Sequence, residues 1–466
     1  MIHIFSHYVS WRMLALAVVE ATVLLIAVQI GIALQFAESR AAMSTLGGEV
    51  PAQVAAFALG MLAIMTSMGL YQSDQWNNNR STRARIAGAF LLGFAIVGLI
   101  SYLVPSLYPG LVALGATTMA LACAGSLVVR TAYQQWNSSS AFKSRVLVLG
   151  TGARVTTLAE YARRSPNHHV IGYVSLQPSA RPYVPQSQVL SLAPGETLLA
   201  LAKKHAIDRI VVALRDRRGG SFPMQQLLEC KMNGIEVIEM PSFFEREYRQ
   251  VMLDSLNPSW MVLGNGFRQG VLRHAVKRLF DVAVSGTLLV LCLPVLLLAA
   301  LCIFLESGLP ILYRQERVGR DGRVFTLLKL RSMRKDAETA GAALWASADD
   351  ARATRVGRFI RMSRIDELPQ LFNVLKGEMS LVGPRPERPF FVDQLTKQVP
   401  YYSLRHGAKP GITGWAQVRY DYGASVDGAI EKLQHDLYYV KNHSLFLDSM
   451  ILIATVEVVL WGKGAR

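Results

Sequence analysis

The sequence predicts a membrane protein of mixed architecture: a four-helix transmembrane unit, an α/β Rossmann-like middle domain, and a C-terminal domain carrying a re-entrant membrane helix. Three observations carry that prediction. Hydrophobic residues make up 51% of the 466 residues and mean hydropathy is +0.27, too apolar for an ordinary soluble enzyme. Four apolar runs near the N-terminus approach the roughly 20 residues needed to cross a hydrocarbon core. Beyond them, strand and helix signals alternate as in a parallel α/β sheet. The expected divisions are residues 1–135, 143–245, a linker at 246–273, and a C-terminal domain at 274–466.

The four runs are Met13 to Phe36, Ala52 to Tyr71, Ile86 to Val104 and Leu111 to Val129; only the first holds a charge, Glu20, to which no function is assigned. No short apolar segment with a small-residue cleavage site opens the chain, so the first run reads as a retained anchor. Arg12 precedes it; Arg80, Arg83 and Arg85 follow the second; Arg130, Lys143 and Arg145 follow the fourth, while 105–110 is uncharged. The bias of basic residues toward the cytoplasm then places both ends of this unit there.

That bias also accounts for most of the formal charge of +16, with 49 Lys and Arg against 33 Asp and Glu. Phosphorylated substrates come second, and no nucleic-acid partner is expected. Cys123, Cys230, Cys292 and Cys302 form no Cys-x-x-Cys or Cys/His cluster, so neither a disulfide framework nor a zinc site is expected.

In the middle domain, strands are expected at Val146 to Leu149, Val170 to Val174, Ile210 to Leu214 and Ile235 to Glu239. The first runs into Gly150-Thr151-Gly152, which begins like a dinucleotide fingerprint. Val155 stands where its third glycine belongs, and no acid ends the second strand. A tight strand-to-helix turn is the preferred reading, with nucleotide binding left open.

A fifth apolar run, Val282 to Leu305, is long enough to span. Basic residues flank it on both sides, however: Arg268, Arg273, Lys277 and Arg278 before, Arg314, Arg317, Arg320 and Arg323 after. Pro294 divides it into arms of roughly 18 Å, about one leaflet each. Proline removes a backbone hydrogen bond and kinks a helix. The prediction is a re-entrant helix over 282–305, led in by Lys277, Arg278 and Asp281, rather than a kinked spanning helix. A further apolar stretch, Phe446 to Trp461, is expected to lie along the membrane surface.

Between these stretches the chain is dense in cations. Ser363 followed by Asp366 reads as a helix N-cap. The paired Asp366 and Glu367 also face many Arg and Lys residues, which suits phosphate chemistry: one carboxylate attacks while the other helps hold a divalent cation. In Gly383-Pro384-Arg385-Pro386-Glu387, two prolines limit the backbone freedom of an arginine matched to phosphate, unless the turn is only rigid and solvated.

The segments KRLFD, YRQERVGRDGRVFTLLKLRSM, TRVGRFIRMSRIDELPQLFNVLKGEMSLVGPRPE and KPGITGWAQVRY resemble the bacterial sugar transferases, polyprenyl-phosphate hexose-1-phosphate transferases of the monotopic phosphoglycosyl transferase class. The four-helix unit and α/β domain resemble its long-form members of exopolysaccharide and O-antigen synthesis. The resemblance implies that Asp366 is the nucleophile and Glu367 binds Mg2+. It implies that Lys329, Arg361 and Arg385 surround donor phosphates, and that the membrane helix is re-entrant. Some members have serine where this chain has Leu293.

It further implies a UDP-hexose donor and undecaprenyl phosphate as acceptor, at the cytoplasmic face of a bacterial inner membrane. Membrane lipid is an expected partner and a homodimer is admitted. Glucose or galactose is the expected sugar, with N-acetylated sugars left open. The degraded fingerprint speaks against the alternative of an anchored nucleotide-sugar oxidoreductase. The presence of both Asp366 and Glu367 speaks against a non-catalytic scaffold.

Overall fold

The computed structural model describes the chain except residues 1, 5–6, 36–49, 72–78, 104–110, 139–142, 166, 177–182, 194, 215–221, 257–260, 262–265, 268–269, 335–351, 421–425 and 461–466. The uncharged loop at 105–110, Arg268, and the ends Phe36, Val104 and Trp461 of three predicted runs therefore lie outside the described residues. The chain forms two compact units: Met1–Val129 with Asn265–Arg466, and Arg130–Gly264.

The first unit opens with a short antiparallel hairpin, β1 (Ile2–Ile4) and β2 (His7–Val9), which no sequence signal announced. Each predicted apolar run then falls in a helix: α1 (Trp11–Gln35), α2 (Val50–Ser67), α3 (Asn79–Leu103) and α4 (Leu111–Ser138). Leu24, Met61, Met65, Ile86, Phe90 and Met119 pack between them. Among the described residues, three helical stretches are long and apolar enough to cross a membrane, Trp11–Leu34, Thr82–Ile100 and Val271–Ser307; Val54–Ser67 is shorter. Glu20 is buried and accepts a hydrogen bond from Tyr71 Oη.

The second unit holds a five-stranded, all-parallel sheet: β3 (Ser144–Leu149), β4 (His168–Val174), β5 (Val189–Leu190), β6 (Arg209–Val212) and β7 (Glu236–Glu239). Its order is β5-β4-β3-β6-β7, so the chain starts at the centre and builds outward in both directions. Both faces are apolar, which accounts for strands that read as continuous hydrophobic runs. Val146, Val148 and Val211 face one cluster with Phe243 and Phe244; Leu147, Leu149 and Ile210 face the other with Leu198 and Leu201. The two-residue β5 was not foreseen, being too short to show a period. Gly150, at the end of β3, sits at φ +127°, where a side chain is disfavoured.

The chain from Val271 onward begins with α9 (Val271–Ser307), a helix of 37 residues unbroken at Pro294. A hairpin follows, β8 (Leu312–Val318) and β9 (Val324–Leu330), then α10 (Arg355–Met362), a 3-10 turn at Ile365–Glu367, and α11 (Gln370–Lys376). Strand β10 (Ser380–Val382) pairs in parallel with β11 (Gly411–Thr413); between them lie α12 (Pro389–Gln398) and a 3-10 turn at Tyr402–Gly407. Helices α13 (Trp415–Arg419), α14 (Val426–Asn442) and α15 (Leu445–Leu460) close the unit.

One expectation is corrected. Ser363 does not begin a helix: it ends α10, with Oγ donating to Phe359 O at 2.8 Å. The N-cap signature failed because Arg364 adopts the left-handed region at φ +58° and separates Ser363 from the carboxylates. The apolar stretch from Phe446 falls in α15 (Leu445–Leu460). Helix α15 buries both of its acids, Asp448 against Lys277 at 2.8 Å and Glu457 against Arg85 at 2.7 Å. Buried charges persist when paired, and these pairs draw the helix inward.

Candidate active site

Asp366 and Glu367 share the 3-10 turn that follows Arg364, and both are buried, at 7% and 8% exposure. Three cations converge on one oxygen of Glu367. Arg385 Nη2 lies 2.9 Å from Oε1, Lys329 Nζ 3.2 Å and Arg364 Nη1 3.5 Å. Burial alone would push the Glu367 carboxyl up; Arg385, Lys329 and Arg364 outweigh it and hold the group ionised. Asp366 goes the opposite way. Burial raises its carboxyl above the usual range and the Glu367 charge adds to this, with Lys329 only partly opposing. Burial likewise lowers the Lys329 ammonium, against the pull of Glu367.

The elements bring these groups together through close backbone contacts. Lys329 stands one residue before the end of β9, opposite Tyr313 on β8. Asn373 of α11 ties that strand to the carboxylate turn: its amide donates to Thr326 O at 2.8 Å and accepts from Leu328 N at 3.1 Å. A Cβ on Gly357 would stand 1.9 Å from Ser332 O, so only glycine lets α10 pass so near the segment after β9.

The Gly383–Glu387 loop hangs from neighbouring strands by its backbone. Gly383 N donates to Thr413 O at 2.9 Å, Pro384 O accepts from Gly411 N at 3.0 Å, and Glu387 O accepts from Val318 N at 2.9 Å. Arg317 Nη1 donates to Pro386 O at 3.1 Å. The side chain of Arg385 is thereby carried to Glu367.

Lys277, Arg278 and Asp281 seat the start of α9 on this assembly. Arg278 donates to Val374 O and Leu375 O, both at 2.6 Å, at the C-terminal end of α11 where carbonyls lack helical partners. Asp281 Oδ1 accepts from Ser380 Oγ at 3.1 Å and Leu381 N at 3.3 Å. The far end of α9 is held too: Arg331 Nη2 donates to Gly308 O at 2.6 Å, and Glu306 accepts from the Arg355 and Val356 amides at 2.8 and 3.0 Å. Leu296, Ala299 and Ile303 pack with Leu330 and Ile360, while Pro294 is exposed.

Of the sequence-selected residues, Asp366, Glu367, Lys329 and Arg385 form one cluster. Arg361 does not join it: it lies on the last turn of α10 and makes no ion pair with either carboxylate among the described contacts. Arg364 occupies that place instead. Sequence reasoning passed over Arg364 because the family resemblance pointed to Arg361 and no local signal marks the left-handed turn at Arg364. Asn373 and Arg317 were also missed, since the bonds that tie them to the site reach backbone atoms distant in sequence.

Residues 272–462, which hold the whole of this cluster, match the family described as bacterial sugar transferase, and the chain belongs to that family. Among its relatives is the UDP-N-acetylgalactosamine-undecaprenyl-phosphate N-acetylgalactosaminephosphotransferase of Aeromonas hydrophila, 40% identical over 259 residues, 56% of this chain and 60% of the relative. The UDP-glucose:undecaprenyl-phosphate glucose-1-phosphate transferase of Caulobacter vibrioides is 45% identical over 40% of this chain and 69% of its own. The enzyme of that name in Xanthomonas campestris pv. campestris is 33% identical over 336 residues, 69% of this chain and 67% of the relative. Against the first two relatives matched, the aligned part spans only 60% and 52% of their lengths.

Proposed function

We propose that this chain transfers a hexose-1-phosphate from a UDP-hexose to undecaprenyl phosphate, releasing UMP. The observation that carries the proposal is the asymmetric carboxylate pair. Glu367 is held ionised by three cations, while its neighbour Asp366 is buried and poorly stabilised as an anion. The family match and the relatives' names support the reaction class.

In this reading Asp366 is the catalytic nucleophile. One carboxylate oxygen forms a bond to the β-phosphorus of the donor. The bond from that phosphorus to the bridging oxygen breaks, and UMP leaves with the bridging oxygen. An oxygen of undecaprenyl phosphate then attacks the same phosphorus, displacing the Asp366 carboxylate and forming the diphosphate-linked sugar. Two displacements at one site let a water-soluble donor and a lipid acceptor react in turn. Lys329, Arg364 and Arg385 supply positive charge where phosphate oxygens gather. Arg361, on the adjacent helix, is kept as a donor-phosphate contact.

The donor set suits Mg2+. The three cations all bear on Oε1 of Glu367, leaving Oε2, and magnesium is commonly held by one or two carboxylates together with substrate phosphates. When bound, it would neutralise developing phosphate charge.

We read α9 as re-entrant. Both of its ends are fastened to C-terminal elements of the same unit, Arg278 and Asp281 to α11 and β10 at one and Ser307 and Gly308 to Arg331, just after β9, at the other. A straight helix of 37 residues would instead extend about 55 Å. Together with the positive-inside argument this supports a four-helix membrane unit and a catalytic face at the cytoplasmic side of the inner membrane. The central-first parallel order supports a Rossmann-like middle domain.

The test is UMP release from UDP-glucose, UDP-galactose and their N-acetylated forms, with magnesium and undecaprenyl phosphate, comparing wild type with Asp366→Asn. UMP from wild type alone, with a sugar-phosphate adduct trapped on Asp366, supports the reading. Equal UMP release by the folded variant rules out Asp366 as nucleophile.

A further inference from the structure

The loop bearing Arg385 is fastened at one point by a side chain that touches neither carboxylate. Arg405, on the 3-10 turn at Tyr402–Gly407, is only 5% exposed. Its Nη2 donates to Arg385 O at 3.0 Å. The same nitrogen is 2.7 Å from Asp436 Oδ2, which also accepts from Nε at 3.2 Å, and Nη1 donates to Tyr402 Oη at 2.6 Å. The guanidinium further stacks over the Tyr402 ring, 5.1 Å from its centroid.

Asp436 is itself 2% exposed, on α14. The charge of Arg405 is therefore matched inside the protein by Asp436. A second N–H of the same Nη2 goes to a backbone carbonyl. That carbonyl belongs to the residue whose side chain meets Glu367 at 2.9 Å. The neighbouring carbonyls of Pro384, Pro386 and Glu387 are held by Gly411 N, Arg317 and Val318 N.

We propose that Arg405, braced by Asp436 and Tyr402, is a positioning residue that fixes the direction of Arg385 and so its aim at the donor diphosphate. This rests on the transferase reading. A guanidinium suits the task because its planar fork reaches carboxylate, hydroxyl and carbonyl at once; a lysine ammonium on the same stem is a point donor and cannot. Misplacing a charge-stabilising group by a fraction of an ångström costs rate without removing the group.

The experiment is a double-mutant cycle on the full-length protein in detergent with undecaprenyl phosphate, pairing Arg405→Lys with Arg385→Lys. It reads UMP release and, separately from turnover, UDP binding by calorimetry. We expect Arg405→Lys alone to slow UMP release about tenfold to a hundredfold and to weaken UDP binding, with its melting temperature retained. In the Arg385→Lys background the same change should cost less than about twofold, because its effect passes through a residue already altered. Equal losses in both backgrounds would overturn the assignment, since a general structural defect is indifferent to Arg385. So would an Arg405→Lys protein with unchanged rate and binding.

Should Arg405→Lys lose its melting transition, Tyr402→Phe takes its place in the cycle. It removes only the Oη partner, and a smaller loss confined to the Arg385 background is then the expected result; an additive loss, or none, overturns it. A wild type that binds UDP but releases no UMP defeats the transferase reading while the cycle is still read from binding. One that does neither defeats both.

Discussion

Two buried charge clusters in this protein look alike in a contact map and differ in what they leave over. In the middle unit, Glu247 pairs with Arg209 Nη1 at 2.8 Å and His168 Nε2 at 2.9 Å, and Glu236 pairs with Arg209 Nε at 2.8 Å and with Arg246. Two carboxylates meet two arginines and an imidazole, and their charges are consumed among themselves. At the Asp366–Glu367 turn, three cations crowd one carboxylate while the second carboxylate resists ionisation. Cations outnumber the ionised carboxylate there, an arrangement suited to an anionic ligand. A balanced cluster holds its neighbours together; an unbalanced one is the kind that suits a ligand.

The comparison breaks most sharply at Asp366. Asp366→Asn should lower UMP release by at least about a thousandfold if, as proposed, it removes the nucleophile, with little change in melting temperature. Arg385→Ala should cost about a hundredfold in the same assay, the scale of losing one charge-stabilising donor. Neither should loosen the middle unit. If either unfolds the protein at large, its cluster is as structural as the other.

Glu247→Gln should do the reverse, leaving UMP release per folded molecule intact and lowering stability. Burial would push the Glu247 carboxyl up, but His168 and Arg209 outweigh it and bring it from 4.5 down to about 2. A depressed carboxylate stabilises the fold above its unfolded value, and that stabilisation is lost as pH falls from about 4.5 toward 2. The ionised group is worth about 3 kcal/mol at neutral pH. The variant should therefore melt lower than wild type at pH 7, and the gap should close on acidification, read by thermal melting in detergent. A gap independent of pH would mean that packing, not charge, holds that corner. The smallest effect is expected at Thr354, whose side chain accepts from Gly357 N at 2.9 Å to cap α10; Thr354→Ala should cost about 1 kcal/mol with activity nearly unchanged.

The elements most legible beforehand were those whose signal is local. Long apolar runs became helices because hydropathy acts residue by residue. The four strands appeared within a few residues of their expected places because both faces of the sheet are buried. Asp366 and Glu367 were legible as an acid pair amid cations, and Lys329 and Arg385 through their motifs. What misled was also local: Ser363 carries an N-cap pattern, yet one left-handed residue at Arg364 ends the helix there instead.

The amino-acid sequence by itself determined the order of the parts, the apolar segments and the chemical kinds gathered near the carboxylates, since composition and short-range spacing suffice for these. Only the tertiary structure decided that Arg364 rather than Arg361 meets Glu367, that Asn373 and Arg317 hold the strands and loop around it, and that Arg405 reaches the carbonyl of Arg385. It also turned the acids of α15 inward to Lys277 and Arg85, residues 171 and 372 positions away. Each of these depends on where a side chain finds a partner far along the chain. A carbonyl or a buried carboxylate has no sequence signature to announce that it will be that partner.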